Sequence, residues 1–136
     1  MKFKVLEEGC EPYRKYNTDA GYDLKARESV LIFPGGTAKF GSGVCVEIPA
    51  GHVGDIRPRS SMSQRGLIIP IGTIDHGYTG EIGLIVINAS EESQWVEKGE
   101  RIAQLVVAPC LIEDIELVDE LAETERGCSG FGSTGK

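Results

Sequence analysis

Glycine and proline punctuation is the feature that most restricts what this chain can fold into. Eighteen glycines and six prolines among 136 residues cut it into short pieces. Residues 2–7 (KFKVLE) and 38–48 (AKFGSGVCVEI) alternate apolar with polar, as half-buried strands do. Residues 29–33, 53–57, 67–71 and 99–109 are further strand-like runs, separated by turn signals such as Pro34-Gly35-Gly36 and Pro49-Ala50-Gly51. Residues 84–87 (LIVI) are apolar at every position, which predicts a strand buried on both faces. Residues 112–121 are acidic and predict a last strand with a solvated edge. One brief helical turn is expected to Gln64, capped by Ser60 or Ser61. No amphipathic pattern sustains a helix longer than about two turns, so the expected class is an all-β sandwich or barrel.

The length is that of one domain with room for a core. A net charge of −7 argues against a general nucleic-acid or anionic-membrane binder, which needs a basic surface. An anionic small ligand then requires local arginines, backbone N–H groups or a metal. No apolar run reaches membrane-spanning length, and the opening MKFKV lacks a signal-peptide pattern, so the expected location is intracellular and cytoplasmic. Cys10, Cys45, Cys110 and Cys128 show no metal-ligand spacing and read as buried reduced thiols. His52 and His76 flank turn glycines far apart in sequence, an unpromising pair for a metal.

The chemistry concentrates in residues 71–82, IGTIDHGYTGEI. Asp75, Tyr78 and the glycines Gly72, Gly77 and Gly80 read as a tight hairpin-like loop feeding the next strand. A flat ring can lie against the backbone here, the phenol can pack on what the ring carries, and the carboxylate can orient a water. A strand-connecting turn with an incidental Asp is the commoner use of such a sequence. Upstream, DAGYDL places Asp23 at the start of an extended run, either as a polar turn or as a carboxylate facing the water shell of Mg²⁺. PRSSMSQRG sets Arg59 beside Ser60 and Ser61, either a capped turn with a surface Arg or an anion cradle. Gln104 is an amide in an apolar strand. It bonds neighbouring backbone or donates to a ligand oxygen, and the strand alone leaves both open.

The terminal GFGSTGK matches the glycine and lysine spacing of a P-loop, but the chain ends where the helix should follow. Phosphate chemistry survives that objection: Arg126, Ser133, Thr134 and backbone N–H groups can surround phosphates, and Phe131 can stack on a base. A glycine-rich arm of this kind describes a lid that closes over a nucleotide.

Five segments taken together, AGYDL (20–24), PRSS (58–61), GTIDHGYTG (72–80), RIAQL (101–105) and RGCSGFGSTG (126–135), resemble the five motifs of the homotrimeric deoxyuridine triphosphatases, the dUTPases. The resemblance implies a jelly-roll β-barrel domain over residues 1–125 and a C-terminal arm over 126–136. It implies a homotrimer with shared active sites and Mg²⁺-dependent hydrolysis of dUTP to dUMP and pyrophosphate. That reaction keeps uracil out of DNA and supplies dUMP for thymidylate synthesis. By matched position, Asp75 activates the water and contacts the 3′-OH, and Tyr78 packs on deoxyribose and excludes a 2′-OH. Gly72, Thr73 and Ile74 present backbone to uracil. Arg59, Ser60, Ser61 and Gln104 hold phosphates, and Asp23 reaches Mg²⁺ through water. The arm brings Arg126 to the γ-phosphate, Phe131 over uracil, and Gly132, Ser133 and Thr134 along the phosphates. The stretch before Gly72, GLIIPI, offers no side-chain amide, so uracil reading falls to backbone groups.

Three rivals are weighed against this, of which a plain structural β trimer leaves the Arg/Phe/Gly/Ser/Thr tail unexplained. A dCTP deaminase shares the resemblance at Arg59-Ser60-Ser61 and Ile74-Asp75 but needs a Glu after the third motif, where this chain has GLIVI (83–87). A regulatory module acting through a protein partner keeps the nucleotide pocket, and the sequence leaves room for such a partner beside the enzyme.

Overall fold

Alternating side chains let each strand bury one face, and the strands pair into antiparallel sheets around one core. The computed structural model describes residues 1–128. In chain order the elements are β1 Lys2–Val5, β2 Gly21–Lys25, β3 Val30–Ile32, β4 Thr37–Glu47, β5 His52–Pro58, α1 Ser60–Gln64, β6 Leu67–Ile68, β7 Gly72–Ile74, β8 Glu81–Asn88, β9 Gln94–Val96 and β10 Arg101–Pro109. One sheet runs β1-β4-β8-β6, a second runs β2-β10-β5-β7, and β3 pairs with β9. This is the jelly-roll β architecture that the sequence predicts. No described helix is long and apolar enough to cross a membrane.

The core draws on both large sheets. Phe40, Val44, Leu84 and Val86 come from one; Leu24, Ile56 and Leu105 come from the other, all buried. Gly54 keeps the layers close, because a Cβ there would meet Ile48 and Leu105 side chains at 2.9 Å. The buried Asn88 amide spends its groups fully. Nδ2 donates to Ile32 O and Glu92 O at 2.8 Å each, and Oδ1 accepts from Ser90 N at 3.0 Å. That ties the end of β8 to β3 and to the loop before β9.

Several sequence expectations change. Residues 71–82 are not a hairpin: β7 belongs to one sheet and β8 to the other, so the loop between them arches from sheet to sheet. Strand β8 is not buried on both faces within the chain. Ile82, Leu84 and Val86 are buried while Ile85 is exposed, because β8 has a core on one side only. Residues 112–121 form no strand and lie exposed, with no strand among the described residues paired to them. Neither serine caps α1; Arg59 takes the N-cap with extended backbone and no side-chain hydrogen bond. Of the cysteines, Cys10 is buried, Cys45 and Cys110 are half-buried, and Cys128 is exposed; all four are free. Burial pushes the Cys10 thiol up, which keeps it protonated and inert.

Candidate active site

Two separate regions of the chain carry the residues singled out above. The first is a cavity of about 430 Å³ at the β2 edge of its sheet, lined by Asp23, Arg59, Ser60, Arg101 and Gln104, with Tyr13 and Arg14 at its wall. Pairing puts three of these strands in register: Asp23 lies opposite Gln104 on β10, and Gln104 lies opposite Arg57 on β5. Both Asp23 oxygens are engaged. Arg59 Nε meets Oδ1 at 2.9 Å, and Arg101 Nη1 meets Oδ2 at 3.1 Å. Arg59 Nη1 donates in turn to the Arg101 carbonyl at 2.8 Å. Backbone bonds run both ways between Tyr13 and Asp23, at 3.0 and 2.7 Å, and the Arg101 guanidinium sits 4.8 Å from the Tyr13 ring centroid. Two cations against one carboxylate leave a net positive corner in an acidic protein, which suits an anion.

Donors remain for a ligand. A guanidinium has five N–H groups, so Arg59 keeps some in hand. Gln104 Nε2 donates to Pro58 O at 3.0 Å, so the backbone reading of this amide holds in the free chain, and its second hydrogen stays available. The hydroxyl-bearing residues Ser60 and Ser61 are exposed at the start of α1.

The second region is the arch after β7. Strand β7, Gly72–Ile74, is the outermost of its sheet, so one side pairs with β5 and the other presents the backbone groups of alternate residues outward. Tyr78 N donates to Asp75 O at 3.1 Å, closing a turn in which Gly77 has φ of 96°, a conformation that favours glycine. His76 Nδ1 donates to Ile48 O at 2.9 Å and anchors that turn. Asp75 is exposed. The Tyr78 hydroxyl donates to Glu81 O at 2.9 Å.

One chain does not bring the two regions together. Asp23 and the row of Asp75 are three strands apart across the sheet and four residues apart along it. Usual strand spacing and rise put the two carboxylates roughly 20 Å apart. Arg126 is described and exposed, beside a turn in which Gly127 N donates to Thr124 O at 3.0 Å. Phe131, Gly132, Ser133 and Thr134 lie outside the described residues.

Sequence reasoning gave Arg101 no role. Three positions before Gln104 on a regular strand falls on the opposite face. A register shift between Arg101 and Ala103 turns it back into the cavity, and the consecutive burial of Ile102 and Ala103 is its trace. Only the unbroken apolar pair inside RIAQL hinted at that.

Among the described residues no cluster of three or more His, Cys, Asp or Glu forms a metal cage. The cavity offers the carboxylates of Asp23 and Asp19, and Asp19 Oδ2 is already taken by Tyr16 N at 2.9 Å. The donor set therefore fits a hydrated Mg²⁺ carried on a ligand's phosphates, met by one carboxylate.

Residues 8–135 match the dUTPase family model. The chain is 43% identical to the deoxyuridine 5′-triphosphate nucleotidohydrolase of Clostridium tetani, covering 100% of this chain and 97% of that protein. Its fold is similar to that of the dUTPase of Staphylococcus bacteriophage 80alpha, with a TM-score of 0.88, 34% identity, and 99% and 98% of the two chains covered. That protein is described with dUPNHPP and as controlling transfer of virulence genes by a proto-oncogenic G protein-like mechanism. A mutant dUTPase from phage phi11 of S. aureus, described for its coordination of a structural Mg(II) ion, matches with a TM-score of 0.83 and 28% identity over 90% of this chain and 98% of that one.

Proposed function

Because the chain belongs to the dUTPase family and is a dUTP nucleotidohydrolase, we propose that its site is completed between copies of the chain, the cavity on one copy facing the arch of another. The observation that carries this is the roughly 20 Å separation of the two regions within one chain, wider than an α-phosphate and its attacking water can bridge. The assembly is a homotrimer, with residues 1–125 as its barrel and the arm 126–136 closing the site.

The reaction needs alignment and charge stabilisation more than covalent help. Asp75 takes a proton from a water whose oxygen bonds to the α-phosphorus as the bond to the α–β bridging oxygen breaks. dUMP and pyrophosphate leave. Arg59, Ser60, Ser61 and Gln104 hold the phosphates. Asp23 would hold Mg²⁺ through its waters, and the ion would offset phosphate charge. Backbone groups of Gly72, Thr73 and Ile74 on the open edge of β7 read uracil. Cytosine has the opposite donor–acceptor order at adjacent positions and would strand buried groups at roughly 1–3 kcal/mol each. Tyr78 packs on the deoxyribose. Arg126, Phe131, Gly132, Ser133 and Thr134 reach the nucleotide from the arm. The cytoplasm is the natural site of such an enzyme. A regulatory protein partner would be an addition to this activity, in line with the description of the 80alpha relative.

Asp75→Asn tests the assignment. Pyrophosphate release should fall by about 10²–10⁴-fold, the usual worth of a positioned base, while dUTP still binds. Turnover like that of the unaltered protein would remove Asp75 from the mechanism.

A further inference from the structure

The arch holds one more determinant of the site. Gly80 is not among the glycines with positive φ, so its backbone does not demand glycine. Its surroundings do. A Cβ at residue 80 would lie 2.5 Å from the Tyr78 hydroxyl oxygen, 2.6 Å from Cζ and 3.0 Å from Cε2. The phenol is thus folded back over residue 80, with its hydroxyl donating to Glu81 O at 2.9 Å. Glu81 is a fixed point. Its Oε1 accepts from Gly43 N at 2.8 Å, its Oε2 meets Arg27 Nη1 at 3.1 Å, and its backbone pairs with Cys45. The ring's position is set by a hydrogen bond to an anchored carbonyl and by the absence of one methyl group.

We propose that Gly80 is a positioning residue for sugar selectivity, the seat that holds the Tyr78 ring where a ribose 2′-OH would need to go. This rests on the reading of Tyr78 as the ring that packs on deoxyribose. The atoms in conflict are the far end of a side chain that is 45% exposed, so the ring can swing away from an added methyl at little cost in stability. What is lost is its location. With the ring displaced, the 2′-OH of UTP finds room and the preference for dUTP falls.

The test measures kcat/KM for dUTP and UTP by pyrophosphate release in the full chain, Gly80→Ala, Tyr78→Ala and the double variant. The dUTP-to-UTP ratio does not depend on how much of a preparation is folded, so partial misfolding leaves the readout intact. Gly80→Ala should lower the ratio about tenfold, the scale of a one-methyl steric effect, with Tm moved by about 3 °C or less. In the Tyr78→Ala background the same substitution should change nothing further, since there is no ring left to displace. A Gly80→Ala ratio equal to the original, with Tyr78→Ala reduced, overturns the seat and leaves the Tyr78 reading standing. A further drop in the double variant overturns it too, because Gly80 would then act on its own. An unchanged ratio in Tyr78→Ala removes the Tyr78 reading, and the seat with it.

Discussion

At the scale of single residues, glycine works here as empty space as much as a flexible hinge. Gly21 shows this in the wall of the cavity that holds Asp23 and Arg59. It is buried and without positive φ, and a Cβ on it would overlap the Gln104 Oε1 and come within 3.2 Å of the Gln104 Cβ. The severe overlap is with the amide tip, which must swing aside, and the root of the side chain is crowded as well. Gly21→Ala should therefore push Gln104 from the cavity and raise KM for dUTP about tenfold, the worth of a hydrogen bond to a charged group, with a smaller change in kcat. An unchanged KM in steady-state kinetics would separate Gln104 from phosphate binding. Asp23, Arg59, Asp75 and Tyr78 were legible as residue types in turn-rich settings. Arg101 was not, because a bulge decided which face it takes.

Among the elements, the ends of strands are tied by charge where pairing stops. Glu7, just past β1, meets Lys98 in the turn before β10 and Arg27, just past β2, at 2.7 Å; Arg27 goes on to Glu81 at the start of β8. Hydrogen bonds from Lys98 and then Arg27 hold the Glu7 carboxyl below its ordinary 4.5. A carboxyl lowered by folding binds its proton more readily in the unfolded chain. Its stabilisation is complete above about pH 4.5 and is lost as pH falls through the lowered folded value. Glu7→Gln should thus be less stable than the original at neutral pH, and the gap should narrow as urea titrations are taken below that point. A gap independent of pH would give Glu7 a packing role alone. Elements were read well where one face is buried and the other wet. Strand β8 was misjudged because Ile85 is apolar yet faces out of this chain's core.

For the whole molecule, the apolar surface left open is the informative part. Leu111, Ile112, Ile115, Leu117, Val118 and Leu121 are all exposed on a segment with no strand partner among the described residues. Covering six such side chains is worth on the order of 10 kcal/mol, a strong incentive for this segment to pack on another copy. Together with the divided site, this predicts an oligomer, and the proposed homotrimer sets the expectation for light scattering at three chains per particle. Ile115→Glu with Leu117→Glu should yield smaller particles and lose dUTP hydrolysis together. A monomer that still hydrolyses dUTP would sink the shared site.

The sequence alone determined the class of fold and the residue types gathered in the candidate site. Glycine and proline spacing excludes long helices, alternation requires paired strands, and five short segments carry the residue types that phosphoryl transfer asks for. Those are local properties, set by backbone freedom and side-chain chemistry within a few positions. The tertiary structure decided which groups meet. It split residues 71–82 between two sheets, turned Arg101 towards Asp23, laid Tyr78 over Gly80, and kept Asp75 three strands away from Asp23. Each of these depends on register, bulges and contacts between residues distant in the chain, which pairing and packing fix and local sequence does not.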